Sequence, residues 1–356
     1  MDQAADQARI TLRDIASAMG ISVSAVNKAL NGRSGVSDAL RVEVVKTANE
    51  MGYRVNRMAQ SMSRTPIKIG ILLPDLWPLF YGAIRNGMDA KLKELADYRI
   101  TAEYYILKTL YSRDEIIKGI HYFIDNKVNA LVICTNFVTD YGDCFDLLEM
   151  AHIPTVLVGS DLPNAKRLCT ISHDADLAGK LAAEFVQYVL PSGKRAAVFV
   201  GNKNMNDHQV KARSFFDFLN QSVNPLTDIH ETLDDPDVAY AVTRRVLQTQ
   251  TDLGAIYVAT SNTVAVCQAI VDSGRQNDIS VIGTDIIAEM EAFFHGGPLR
   301  GVIFQDPYRQ GKLAIEILFD YLTLGKLDET EKLIYPSVVF SSNFPYYVRN
   351  IFHSLS

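Results

Sequence analysis

The chain has 356 residues, 48% of them hydrophobic, which suits two or three domains with a substantial buried core. Its four cysteines form no CxxC pair, so the sequence predicts neither a disulfide framework nor a zinc site. No apolar run approaches the about 20 residues of a membrane span. The polar start MDQAADQAR does not have the pattern of a signal peptide, and we therefore expect a cytoplasmic protein away from the membrane.

The net charge of −6 is unevenly distributed along the chain. Residues 1–66 carry nine Lys and Arg against six Asp and Glu, whereas the remainder carries 26 against 35. A basic N-terminal part can attract phosphates, and an acidic body resists non-specific contact with DNA. This distribution favours a small nucleic-acid-binding part joined to a larger acidic one.

Three short helices are predicted within residues 10–55. Thr11 is placed to cap the first helix, which Gly20 ends, and Ser22 is placed to cap the second. Ser37 is placed to cap the third helix. Two helices around a tight turn, followed by a third, fit a helix-turn-helix domain of about 50 residues.

Residues 56–66 form a short, polar and weakly amphipathic segment after the third helix. Isolated helices of this length are marginal in water, so we expect the segment to order on a partner and to act as a hinge.

From residue 67 onward, strands and helices alternate, which predicts parallel sheets joined by right-handed crossovers. About ten predicted strands are too many for one compact open sheet of this kind, so we expect two lobes with a cleft between them. The predicted ligand-binding and dimerisation domain is 67–345, with one lobe of 67–165 plus about 302–327 and another of 166–300 plus about 328–345.

Residues 11–64 resemble the LacI/GalR family of bacterial transcription regulators. The resemblance is carried by TLRDIASAMG (11–20), ALNG (29–32), Val36-Ser37, Gly52-Tyr53 and Asn56, among others. Residues 67–345 resemble the sugar-binding periplasmic-protein fold attached to such regulators, best at Ile282–Asp285 and GVIFQDPYRQG (301–311). The resemblance implies an all-α helix-turn-helix domain with a hinge helix, followed by a two-lobed α/β effector domain of the type I periplasmic-binding-protein kind.

The resemblance also implies a homodimer, or a tetramer, on near-palindromic double-stranded operator DNA. Val23, Ser24 and Lys28 fall on base-reading positions, where valine can meet a thymine methyl group and lysine can donate to guanine. The family most often has Ser-Arg where this chain has Asn27-Lys28, and lysine lacks the bidentate fork of arginine, so we expect a different operator preference. The DNA-contacting residues assigned in this way are Thr11, Ser22, Val23, Ser24, Asn27, Lys28, Asn31, Asn56, Arg57, Ala59 and Met62.

Met62 occupies the hinge position where the family typically inserts a leucine between base pairs in the minor groove. Methionine is apolar and flexible, so it can act as such a wedge with less rigid kinking. The alternative is a loosely exposed linker residue.

Polar and aromatic side chains follow several predicted strands, at the edge where ligands bind in such folds. The candidate effector-binding residues are Asp75, Phe80, Tyr81, Ser160, His208, Lys211, Ser261, Asn262, Asp285 and Gln305. A carboxylate such as Asp285 and an amide such as Gln305 can accept and donate to a polyol, although Asp285 can also cap a helix. Phe80 and Tyr81 can stack on sugar C–H faces or simply pack at a helix start. The family often has arginine at the position of Lys211, and the alternative for Lys211 and His208 is an exposed helix start.

No catalytic constellation emerges, since the chain contains no HExxH, no GxSxG and no Walker-type loop. We interpret Asp234-Asp235 as solvated loop residues and His173-Asp174 as a helix start, and we expect no metal and no cofactor. The sequence therefore predicts a repressor, not an enzyme, controlled by a small carbohydrate-like effector between two lobes. The alternatives are a transport-type sugar-binding protein and an enzyme acting on a sugar or nucleoside.

Overall fold

The computed structural model describes residues 10–30, 34–51, 66–75, 78–108, 112–134, 142–162, 165–224, 226–327 and 329–353. The chain divides into two compact units, Met1–Thr65 and Pro66–Ser356. Within the described residues, none of the helices combines the length and the apolar character that a bilayer span requires.

The first unit contains the three predicted helices, α1 (Leu12–Met19), α2 (Val23–Leu30) and α3 (Asp38–Glu50). Thr11 begins α1 with a reciprocal cap, because its backbone N–H donates to the Asp14 carboxylate at 2.7 Å while its hydroxyl accepts from the Asp14 N–H. Gly20 ends the helix with φ +65°, a conformation that glycine adopts without steric cost. The buried residues that join the three helices are Ile15, Ala16, Val26, Ala29, Val44 and Ala48.

The second unit alternates strands and helices. Its strands are β1 (Ile67–Pro74), β2 (Ile100–Leu107), β3 (Ala130–Cys134), β4 (Thr155–Gly159), β5 (Cys169–His173), β6 (Arg195–Val200), β7 (Ile229–Glu231), β8 (Leu253–Val258), β9 (Ser280–Thr284), β10 (Leu299–Phe304), β11 (Glu331–Ile334) and β12 (Ser337–Val339). Its α-helices are α4 (Pro78–Glu94), α5 (Arg113–Asp125), α6 (Gly142–Met150), α7 (Ala175–Val189), α8 (Asn206–Leu219), α9 (Pro236–Thr249), α10 (Thr263–Asp272), α11 (Glu291–Phe294), α12 (Pro307–Leu324) and α13 (Phe344–His353). Two 3-10 turns, Ala96–Tyr98 and Ala288–Met290, complete the unit.

The strands form two six-stranded sheets, which confirms the predicted two-lobed α/β body. The first sheet is wholly parallel in the order β11-β5-β4-β3-β1-β2. The second has the order β12-β10-β9-β8-β6-β7 and is parallel except for β12, which runs antiparallel to β10. Helices cover both faces of each sheet, which explains why the central strands are buried throughout.

The sheets correct the expected boundaries of the lobes. Cys169–His173 and Glu331–Ile334 were expected in the second lobe, but both belong to the first sheet, where Thr170 aligns with Glu331. Leu299–Phe304 overlaps a segment expected in the first lobe from about residue 302, but it pairs with β9 in the second sheet. The reason in each case is backbone hydrogen bonding: a strand belongs to the sheet with which it pairs, even when its neighbours in sequence belong to the other sheet.

The chain consequently passes between the two sheets three times: after β5, after β10, and between β11 and β12. Helix α7, which follows the first passage, packs in the core of the second sheet, and α12, which follows the second passage, packs in the core of the first. Residues at these passages lie where the two lobes face each other.

Helices α4 and α12 pack very closely on the first sheet because each presents a glycine to the other. A Cβ atom at Gly87 of α4 would overlap the carbonyl oxygen of Tyr308, and one at Gly311 of α12 would overlap the carbonyl oxygen of Ile84. This close approach fixes the position of Phe80 at the start of α4, beside the passage that follows β10.

Candidate functional site

Helix α2 separates its side chains into a buried and an exposed face. Val26 and Ala29 are buried in the helical core, whereas Val23, Ser24 and Lys28 are exposed. Val23 is an apolar side chain 40% exposed to solvent with no core role. The exposed face therefore offers a methyl-rich group, a hydroxyl and an ammonium, which are the groups that read base edges in a major groove.

Two side chains at this end of the unit are used for helix capping. The hydroxyl of Ser22 accepts from the backbone N–H of Ala25 at 3.1 Å, and Thr11 caps α1 as described above. The hydroxyl of Thr11 also donates to the Asp14 carboxylate at 2.7 Å, whereas the Ser22 hydroxyl accepts in its cap and can donate its proton to a phosphate oxygen. Lys28 extends beside the turn at Gly35, where its Nζ would lie 3.4 Å from a Cβ atom added to that glycine.

The second unit has a crevice where the two sheets face each other. Its walls come from both lobes: Gly159 and His173 end strands of the first sheet, while Asp285 and Gln305 follow strands of the second. Phe80 of α4 and Lys211 of α8 also line it. The crevice has a cavity volume of about 40 Å³, so its polar side chains lie close to one another.

A continuous chain of polar contacts runs through the crevice. Asp207 lies between two basic groups, with Oδ1 2.9 Å from Nε2 of His173 and Oδ2 2.8 Å from Nζ of Lys211. Lys211 donates to Oε1 of Gln305 at 2.8 Å, and Nε2 of Gln305 donates to Oδ1 of Asp285 at 2.9 Å. The contact between His173 and Asp207 connects the first lobe to the second.

His173 is only 6% exposed, and neither ring nitrogen has a hydrogen bond of good geometry to another described residue. The contact of Nε2 with Asp207 is close in distance but not aligned as a hydrogen bond. A buried imidazole in this condition retains the capacity to bind another polar group.

Electrostatics divide the three carboxylates of the crevice. Burial raises the pKa of Asp207, but His173 and Lys211 outweigh that effect and hold the pKa well below its ordinary value. Burial raises the pKa of Asp285 and of Asp234, and their polar partners offset only part of this effect. Burial likewise lowers the pKa of His208, which favours its neutral form. The lowered pKa of Asp207 favours its charged form. The charged forms of Asp285 and Asp234 are disfavoured by burial, so a ligand that brings a hydrogen-bond donor or a positive charge would stabilise them.

Asp234 occupies the crevice through an uncommon backbone conformation. Leu233 and Asp234 both have φ +53°, and a Cβ atom at Gly201 would overlap the Asp234 carboxylate. The expected solvated position is therefore wrong for Asp234, which lines the crevice, whereas Asp235 is exposed and caps α9. Strained conformations of this kind concentrate at functional sites.

Comparison with known proteins identifies both units. The sequence profile of the Periplasmic binding protein domain matches residues 69–327. The profile of Bacterial regulatory proteins, lacI family, matches residues 11–56. The chain belongs to the LacI/GalR family of bacterial transcription regulators.

Relatives in this family match almost the whole chain. Catabolite control protein A of Priestia megaterium is 22% identical, over 90% of this chain and 95% of the relative. The Ribose operon repressor of Bacillus subtilis (strain 168) is 25% identical, over 90% of this chain and 94% of the relative. The crystal structure of the lac repressor dimer bound to operator and the anti-inducer ONPF shares the fold, with a TM-score of 0.64, 19% identity, and coverage of 93% of this chain and 98% of that one.

In this LacI/GalR-family chain, six of the ten predicted effector residues line the crevice: Phe80, His208, Lys211, Ser261, Asp285 and Gln305. The other four lie elsewhere. Asp75 is exposed, Tyr81 is 1% exposed in the core of the first lobe, and Ser160 adjoins the lining residue Gly159. Asn262 donates to the hydroxyl of Thr232 at 3.1 Å and faces a neighbouring cavity.

Sequence reasoning missed His173, Asp207 and Asp234 as site residues. The available signal was position: His173 is the last residue of β5 in the first sheet, and Asp207 lies in the first turn of α8, shortly after β6 of the second sheet. Among the predicted DNA-contacting residues of the family domain, Asn31, Asn56, Arg57, Ala59 and Met62 lie outside the described residues. No group of three or more His, Cys, Asp or Glu side chains within the described ranges could hold a metal ion.

Proposed function

We propose that this chain is a cytoplasmic repressor without catalytic activity, which binds operator DNA as a homodimer and responds to a carbohydrate-like effector in the crevice. The observation that carries the proposal is the pairing of two surfaces in one chain. Helix α2 exposes Val23, Ser24 and Lys28 for base reading, and the crevice collects buried hydrogen-bonding side chains from both lobes.

The DNA-binding part rests on the short reading face of α2. Val23 and Ser24 are small, and Lys28 donates from a single ammonium without the fork of arginine. One copy therefore gives few base contacts, and two copies on a palindrome double them. Asn31, Arg57 and the hinge residue Met62 extend these contacts to phosphates and the minor groove in this proposal.

The effector part rests on the chemistry of the crevice. Asp285 accepts, Gln305 both accepts and donates, and Phe80 offers an aromatic face, a combination that suits a ring carrying several hydroxyl groups. A crevice of about 40 Å³ has room for a few water molecules only, so a sugar must separate the lobes or displace part of the polar chain. Effector binding is thereby coupled to the contact between His173 and Asp207.

The proposed mechanism is a population shift between two conformations, which differ in how the two lobes are oriented. An effector that replaces the contact of Asp207 with His173 favours one of these conformations. The two subunits then present their hinges to the operator at a different spacing. The change in operator affinity depends on how differently the effector binds to the two conformations, not on effector affinity alone.

The DNA-binding proposal is tested by selecting operator sequences from random DNA with the full chain. Lys28→Ala should change the base preferred at one position of each half-site and weaken binding there by about 1–3 kcal/mol.

Met62→Ser should weaken specific binding far more than binding to unrelated DNA. Fluorescence anisotropy with selected and scrambled duplexes measures both effects. Identical selected sequences for Lys28→Ala and the unmodified chain would remove the reading role of α2.

The effector proposal is tested with a panel of sugars by calorimetry and by their effect on operator affinity. Lys211→Met leaves Asp207 buried beside only His173, so we expect loss of effector binding and a loss of stability of about 3–5 kcal/mol. Lys211→Arg keeps the charge and is the matched control, with weakened but measurable binding. Equal sugar affinity of Lys211→Met and the unmodified chain would contradict the site.

A further inference from the structure

The crevice continues into a second cavity on the second lobe. The two share Asp234 and Ser261, and the second cavity lies where α9 and α10 begin, next to the segment after β9. Its volume is about 650 Å³, compared with about 40 Å³ for the crevice. A volume of this size lies within the range of about 300–1,000 Å³ that is usual for small-molecule sites.

The walls of the second cavity are suited to a ring that is not fully polar. Pro236, Val264, Ala265 and Ile287 supply apolar surface. Tyr240 also lines the cavity, and its hydroxyl is already used because it donates to Asp272 at 2.8 Å. The side-chain amide of Gln268 is used in the same way, with Nε2 2.8 Å from the other oxygen of Asp272.

The rim of the cavity is acidic. Asp234, Asp237 and Glu289 line it, and Asp237 and Glu289 are exposed. No lysine or arginine is among the described lining residues. In the adjoining crevice, the ammonium of Lys211 is already shared between Asp207 and Gln305. A ligand with a negative charge would therefore face three carboxylates in the second cavity, and the Lys211 ammonium in the crevice is already in use.

We propose that the effector is longer than one sugar ring and carries no negative charge. One ring binds in the crevice, Ser261 lies at the junction, and a second sugar ring or an apolar aglycone occupies the cavity against Val264 and Ala265. The inference rests on the proposed function, since it takes the crevice as the effector site. It adds a second subsite and the ligand class, an uncharged disaccharide or glycoside.

The test compares ligands of two lengths on the full chain by isothermal titration calorimetry. The probes are cellobiose, maltose and lactose, each against glucose and galactose. We expect one disaccharide to bind at least tenfold more tightly than either of its constituent sugars. The variant of that disaccharide with a carboxylate on its second ring should bind at least tenfold more weakly than the neutral form.

Ala265→Leu places a larger side chain on the apolar wall of the second cavity where the second ring would pack, and it should remove the advantage of the disaccharide while leaving monosaccharide affinity within about twofold. Ala241→Leu adds the same side chain at an exposed position of α9 outside the cavity, and it should change neither affinity. If monosaccharides bind as tightly as disaccharides, or if Ala265→Leu leaves the disaccharide advantage intact, the second subsite is wrong and the effector crevice stands. If no sugar of either length binds, the carbohydrate effector fails and the subsite fails with it.

Discussion

Asp285 combines two unfavourable properties in one residue. Its backbone has φ +61°, and its carboxylate is buried, with Gln305 donating to Oδ1. Burial raises the pKa of Asp285 above its ordinary value, so the charged form costs stability at neutral pH. A residue that weakens the folded protein while lining the crevice is expected where binding, not folding, requires the carboxylate.

Asp285→Asn should therefore stabilise the protein and abolish effector binding. A carboxylate whose folded-state pKa exceeds its unfolded value costs stability above the folded pKa, and the cost vanishes below the unfolded value, where both states are protonated. Asparagine tolerates the left-handed backbone and keeps an oxygen for Gln305. We expect a gain on the order of 1 kcal/mol at pH 7 that shrinks toward zero below about pH 4. Denaturant unfolding of both proteins across this range measures the gap, and a gap that grows toward acid pH would contradict it.

Single residues also show where sequence reasoning stops. Lys211, Asp285 and Gln305 were predictable as site residues because each lies just beyond a strand or one turn into a helix at the cleft edge. Asp234 was not, because two adjacent aspartates in a loop normally indicate solvent exposure. Its position depends on a left-handed pair of residues and on the absence of a side chain at Gly201, and neither is visible in local sequence.

At the scale of elements, the pairing of α4 with α12 depends on glycine. Gly87→Ala should destabilise the protein by about 1–3 kcal/mol, because the added Cβ atom overlaps the backbone of Tyr308 and the helices must move apart. Gly82→Ala on the same helix is the control, since nothing lies within 4 Å of a Cβ atom there. This control should be neutral or stabilising by about 0.5–1 kcal/mol, as alanine is the better helix former. Thermal unfolding of both variants measures the two effects. Equal changes in stability would contradict the role of Gly87 in the close packing of α4 and α12.

Most elements were predictable, and the exceptions have physical reasons. The strand at 67–74 is visible in the sequence because the run IKIGILLP is mostly apolar and ends at Pro74, shortly before a helix. The strand Cys169–His173 is not visible in the sequence, because Thr170, Ser172 and His173 make the segment polar. It is nevertheless buried, since β4 and β11 flank it in the sheet. Strand pairing between distant segments is a property of the whole sheet, and local composition does not encode it.

At the scale of the molecule, His173 is the point at which the first lobe contacts the charged chain of the second. An allosteric effector typically changes the affinity of the other site by a factor of about 5–150. His173→Leu removes the contact with Asp207, and we expect it to reduce this factor for operator affinity by at least threefold. Operator affinity without effector should shift toward the value that the unmodified protein has with effector bound, because the variant lacks the contact that the effector replaces. Anisotropy titrations with and without a bound sugar measure the factor.

His230→Leu is the matched control for this prediction. His230 is also buried, and burial lowers its pKa to about 4, so it is neutral at pH 7. It lies on β7 of the second sheet, on the edge strand, and it is not among the residues that line the crevice. A loss of the factor in both variants would indicate general loosening of the fold and would remove the specific role of His173.

The three passages between the sheets have a consequence for the gene as well as for the protein. Strands β11 and β12 lie close to the end of the chain, yet one completes the first sheet and the other completes the second. A premature stop codon directly after residue 327 would therefore expose an unfinished sheet edge in both lobes at once, and one between β11 and β12 would still leave the second sheet without its edge strand. Truncated products should be aggregating fragments that protein quality control removes, so even late nonsense alleles should behave as complete losses of function.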